Sequence, residues 1–164
     1  MIEVEDLSND ESIELLKSMD YAHLACSRND EPYAVPVHYA WDDGVIFVYT
    51  TEGKKAEFIE ANPRVCLQAE TVIDNRHGQS VIVDGTAEKI KDGQKRDRAI
   101  ELIVKINPTL TPAVSIRWMD SWVRENIEVI YEITPTRISG RRSVDRTGDT
   151  PLVPVSGGSR GKVN

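Results

Sequence analysis

Cysteine is scarce in this chain, with two residues, Cys26 and Cys66, among 164. Two thiols cannot build a disulfide framework. Both lie in apolar, strand-like surroundings, so they read as buried thiols rather than a redox pair. Histidine is too sparse for a metal centre: His23, His38 and His77 have no ligand spacing with one another or with the cysteines. No stretch approaches the ~18 apolar residues of a membrane helix. The opening residues, MIEVEDLSNDE, lack the basic start and apolar stretch of a signal peptide, so the expectation is a cytoplasmic chain with no membrane partner. Positive charge is in deficit, 20 Lys and Arg against 27 Asp and Glu, for a net charge of −7. That balance argues against a nucleic-acid surface. Gly-x-Ser-x-Gly is missing, which removes the hydrolase elbow, and so is the Gly-x-Gly-x-x-Gly of a dinucleotide fold.

What remains is an ordinary globular composition, 40% hydrophobic and 29% charged, at a length that suits one domain. Ser8 and Glu11 have the spacing of a capping box, and Ile13, Leu15, Leu16 and Met19 supply the apolar face of a first helix. Residues 23–26 read as a strand and 28–31 as a turn. In residues 33–41 the large residues Tyr33, Val35, Val37, Tyr39 and Trp41 alternate with Ala34, Pro36, His38 and Ala40, a strand with two unlike faces. Asp42-Asp43-Gly44 signals a hairpin and 45–50 the returning strand. A short helix over 55–61 packs through Ala56, Phe58 and Ile59 and stops at Asn62-Pro63. Strands follow over 64–70 and 80–90, the second with Gly85 as a candidate bulge. Ala99, Leu102, Ile103 and Ile106 mark another helix, and 113–124 reads as helical with Trp118 and Trp122 one turn apart. The last strand is expected over 128–138, the domain over 1–146, and a mobile tail over 147–164. Strands linked mostly by turns make a mainly β, α+β fold: a six-stranded antiparallel barrel with flanking helices.

The sharpest local feature is VYTTEGKKAEFIEANP, residues 48–63, where a strand ends in hydroxyls, turns at Gly53 and enters a helix through Lys54 and Lys55. It is not a P-loop, because Lys55 stands where Ser or Thr belongs and Val48 where the first glycine belongs. Lysines are disfavoured at a helix start by the dipole, unless an anion sits there too. Thr50 and Thr51 can donate to that anion, and two ammonium groups nearly balance a phosphate monoester's charge of about −2. The alternative is a solvated basic helix start.

Three segments, HLACSRNDEPYAVPVHYAW, GVIFVYTTEGKKAEFIEANPRVCLQAE and SVIVDGTAEKI, together with YEITPTRISGRRS, resemble the FMN-binding split-barrel superfamily. The similarity is to the pyridoxamine 5′-phosphate oxidase-related group that includes nitroimidazole-resistance nitroreductases, and it covers most of residues 7–143. The resemblance implies a six-stranded split barrel, dimeric, with FMN in the groove between protomers. It implies that Lys54 and Lys55 hold the 5′-phosphate. Tyr49 and Thr50 would lie along the ribityl chain and phosphate, and Pro36, Val37 and His38 would line the ring through the backbone.

The resemblance also has limits. The family's Arg-x-His signature is not met by Ser139-Gly140-Arg141-Arg142-Ser143, and His38 stands where a substrate-side lysine is expected. Both departures argue against the vitamin-forming oxidase itself. Arg141 and Arg142 remain candidates for an anionic substrate or a partner's flavin, or simply start the tail. The expected function is an FMN-dependent oxidoreductase of small aromatic or nitro compounds, with NAD(P)H as one candidate electron donor. The alternatives are a non-catalytic flavin-binding or sensing dimer, and a related barrel holding deazaflavin or haem.

Overall fold

The computed structural model describes residues 1–108 and 128–146. The expected helix over 113–124, with Trp118 and Trp122, and the expected tail over 147–164 lie outside the described residues.

Strand β1 (Ile2–Leu7) leads into helix α1 (Asn9–Ser18), then β2 (Tyr21–Arg28), β3 (Glu31–Asp42) and β4 (Val45–Thr51). Helix α2 (Lys54–Ala61) follows, then β5 (Arg64–Val72), β6 (Gly78–Lys89), α3 (Gly93–Ile106) and β7 (Glu128–Asp145). Every strand pairing is antiparallel, in the order β1-β7-β4-β3-β2-β5-β6, and β6 also pairs with β7. That last pairing closes β2 to β7 into a six-stranded barrel, the mainly β split barrel expected. No described helix is long and apolar enough to cross a membrane.

Local chemistry explains the elements. Ser8 caps α1: its hydroxyl accepts from the Glu11 N–H, and the Glu11 carboxylate accepts from the Ser8 N–H. The β2–β3 turn places Asn29 and Asp30 at φ 49° and 63°, left-handed values these short polar residues tolerate. The barrel interior is filled by alternate residues, among them Leu24, Val37, Tyr39, Ile46, Val48, Leu67, Val81, Val83 and Ile133. Helix α1 closes one end through Leu15 and Leu16, where the buried Tyr39 hydroxyl donates to the Leu16 carbonyl at 2.7 Å. Helix α2 closes the other through Ala56, Phe58 and Ile59, the three residues the sequence nominated. A second cluster lies outside the barrel, where Ala99 and Ile103 of α3 cover Ala40, Phe47, Tyr49 and Ile130.

Gly85 marks a register break between β6 and β7, as its place inside the strand suggested. A Cβ there would stand 2.6 Å from the Thr134 carbonyl oxygen, a backbone atom that cannot swing away. Gly85→Ala is therefore expected to lower stability by about 1–3 kcal/mol, read as a shift in the urea midpoint at unchanged slope.

Two expectations need correction. The N-terminal acidic stretch, read only as lacking a signal, forms β1 and adds a seventh strand. The last strand runs past residue 138 to Asp145, so Arg141 and Arg142 are strand residues and do not begin a tail. Both differences have one cause. Glu3, Glu5 and Asp6 of the acidic strand meet Arg146, Arg142 and Arg141 at the far end of the chain. The cysteines are free, Cys26 buried and Cys66 half-buried. Neighbouring strand positions Ala25↔Cys66 and Cys26↔Val65 put the two thiols on opposite faces of the sheet, which forbids a bond between them.

Candidate functional site

The barrel opens along one strand. β3 pairs with β2 from Glu31 to His38, but with β4 only from His38 to Asp42. Past Tyr49, β4 turns to β7, with Thr50 opposite Val129 and Thr51 opposite Glu128. Among the described residues, 31–37 therefore have no strand on the β4 side. Backbone direction alternates along a strand. The Tyr39 N–H donates to the Asp20 carbonyl on the β2 side, so odd-numbered groups face β2 and even-numbered groups face the split. Pro32 and Pro36 hold even positions, where a missing N–H disrupts no ladder. The Ala34 amide and the Pro36 carbonyl are left facing the opening.

Opposite this edge stands the start of α2. Gly53 precedes the helix at φ 149°, a value that favours glycine, and no side chain caps the helix there. Lys55 is part-buried and its Nζ donates to the Thr51 carbonyl at 2.9 Å. Burial lowers its pKa, opposed by the nearby Cys26 and Glu52. It has no ion-pair partner among the described residues. Lys54 behaves differently. Its Nζ lies 2.5 Å from the Glu31 carboxylate, and 5.0 and 5.2 Å from the centres of the Tyr33 and Phe58 rings. The hydrogen bond and charge of Lys54 hold the Glu31 carboxyl below its ordinary pKa. The two ammonium groups thus do not converge in this conformation.

The remaining nominated residues divide between two faces. Val37 is 1% exposed and fills the barrel, and its backbone faces β2. Pro36 and His38 are half-buried on the outer face. His38 stands in register between Tyr49 of β4 and Tyr21 of β2. The Tyr21 ring meets His38 and His23 edge-on at 6.0 and 5.6 Å. Tyr49 lies under α3 and donates its hydroxyl to Glu128 at 2.8 Å; burial first, then Glu128, pushes its pKa up to about 12. Thr50, 5% exposed, points to the opposite face from Tyr49. Arg141 and Arg142 are away from the split, tied to Asp6 and to Glu5 and Glu11. Sequence reasoning missed Glu31, Ala34, Tyr33 and Glu128. The proline pair at 32 and 36 was the available signal for the open edge. Nothing local pointed from Glu31 to Lys54, 23 positions on.

Three comparisons bear on this geometry. Residues 8–142 match the model of the family described as pyridoxamine 5′-phosphate oxidase. An FAD-binding protein of Mesorhizobium loti has the same fold at a TM-score of 0.71 and 30% identity, over 88% of this chain and 100% of that one. A candidate 5-nitroimidazole antibiotic resistance protein of Bacteroides thetaiotaomicron aligns at a TM-score of 0.65 over 88% of this chain and 93% of that one, with 16% identity, a likeness of fold alone. An uncharacterised protein of Rhizobium meliloti is 33% identical over 84 residues, 51% of this chain and 56% of that one, so the match spans little more than half of that relative.

Proposed function

The chain belongs to the pyridoxamine 5′-phosphate oxidase family, and from that membership we propose that it binds a flavin nucleotide, FMN, at the split between β3 and α2. The observation that carries the reading is Lys55. A desolvated ammonium with one carbonyl partner and no carboxylate is poorly compensated, and a phosphate would complete it. Lys54 and Lys55 would hold the phosphate, with the uncapped N–H groups of α2 favouring the same charge. Thr50 adds a hydroxyl beside them. Pro36 would offer its carbonyl at the open edge. Val37 would act as a wall behind it, and His38 with Tyr49 would border the ring from the outer face. The bound flavin would supply the electron transfer, so the chain needs few catalytic side chains of its own.

The same reading makes the chain an oxidoreductase of small aromatic or nitro compounds, fed by a reduced nicotinamide. It also makes the protein a homodimer. The outer face of β2, β3, β5 and β6 carries Tyr21, Val72 and Ile82, exposed at 37%, 66% and 42%, and a second copy placed there would complete the flavin site. A second reading, FAD in place of FMN, is favoured by the Mesorhizobium relative. The protein as isolated, or after incubation with micromolar FMN, is expected to show visible flavin absorbance. The mass of the material released on denaturation separates FMN from FAD. A colourless protein that ignores both nucleotides refutes the proposal. Turnover under a reduced nicotinamide and a nitroaromatic acceptor separates an enzyme from a flavin carrier.

A further inference from the structure

We propose that Glu31 is an internal competitor for the anion: it holds Lys54 in reserve, leaves Lys55 as the one standing phosphate ligand of the empty site, and is displaced when phosphate binds. The inference rests on the flavin reading above and adds how that site is regulated. Glu31 is the first residue of β3, directly after the turn at Asn29 and Asp30. That turn is tied to α2 twice. Glu31 pairs with Lys54 at 2.5 Å, and Arg28 reaches Glu57 at 3.9 Å while its guanidinium lies 4.8 Å from the Phe58 ring centre. The Lys54 chain is steadied by the Tyr33 and Phe58 rings on the same side. A carboxylate thus neutralises one of the two ammonium groups, and the empty site presents a charge near +1 where its sequence suggests +2.

The asymmetry has a physical purpose in the empty protein. Two free ammonium groups at the positive end of a helix repel each other and the dipole. Glu31 relieves that repulsion until a dianion arrives. Lys54 and Glu31 are both about half exposed, 46% and 54%, so solvent screens their pair and an incoming phosphate can break it. Lys55 has no such competitor, and its position is already desolvated.

The test compares FMN dissociation constants, by quenching of flavin fluorescence, for the wild type, Glu31→Gln, Lys54→Ala, Lys55→Ala and the double variant Glu31→Gln/Lys54→Ala. The rate of Lys54 acylation by an amine-reactive ester is measured on FMN-free protein by peptide mass spectrometry. Glu31→Gln should bind FMN about threefold to tenfold tighter, with the gain abolished when Lys54 is alanine. Lys55→Ala should lose more affinity than Lys54→Ala, and Lys54 should be acylated several-fold faster in Glu31→Gln than in the wild type. Unchanged or weaker binding by Glu31→Gln overturns the proposal, as does an equal gain without Lys54, which would mean simple removal of distant negative charge. If no variant takes up FMN, the flavin reading falls by itself. The acylation rates then judge Glu31 separately, and equal rates in the two proteins reject it.

Discussion

Replacing both Lys54 and Lys55 with alanine should abolish flavin binding at micromolar concentration while leaving the fold intact. Charge-assisted hydrogen bonds contribute about 1.5–3 kcal/mol each, so losing both ammonium groups weakens binding by several kcal/mol, at least about a hundredfold. Isothermal titration of the flavin-free protein with FMN measures the loss. The effect on stability has the opposite sign. The folded-state pKa of Lys55 is lowered by burial, so the folded chain holds that proton less tightly than the unfolded chain does. The cost is present while the amine is charged and is relieved as pH rises through the lowered pKa. Removing Lys55 removes it. The double variant should therefore melt no lower than the flavin-free wild type at neutral pH. A lost fold would read as a lower melting temperature and a lost site as a lower affinity, so the two are separable. Unchanged affinity in the double variant would refute the phosphate assignment.

Phe58→Ala should be the most damaging single change near the site, costing about 3–5 kcal/mol of stability. The ring is 0% exposed and fixes α2 over the end of the barrel, with the Tyr33 ring 5.7 Å away. A helix of eight residues does not persist in water without such an anchor. The same substitution should weaken flavin binding, because the ring places the helix start that carries Lys54 and Lys55. Urea unfolding monitored by circular dichroism gives the first number and FMN titration the second. A loss below about 1 kcal/mol would show that α2 is held by something other than this core contact.

Much of the barrel could be read locally because its signals are local. Alternation in 33–41, the hairpin residues 42–44 and the Asn-Pro stop at 62–63 each act within a few positions. All three appear in the structure as β3, the β3–β4 turn and the end of α2. Gly85 was legible as a bulge because a glycine inside a strand pattern has few other uses. β1 was not legible. Its alternation is present, but its acidic residues gain meaning only beside arginines more than 130 positions away. The end of β7 was hidden for the same reason.

By itself the sequence determined which strands alternate, where they turn, that a glycine and two lysines begin a helix, and that Ala56, Phe58 and Ile59 are its buried side. These properties depend on backbone sterics and on side-chain periodicity, which need no distant partner. Only the tertiary structure decided that β4 leaves β3 at His38 and opens an edge beside that helix, that Lys55 is desolvated there, and that Glu31 occupies Lys54. Strand divergence and charge pairing depend on where separate segments meet in space, and adjacent residues carry no record of that distance.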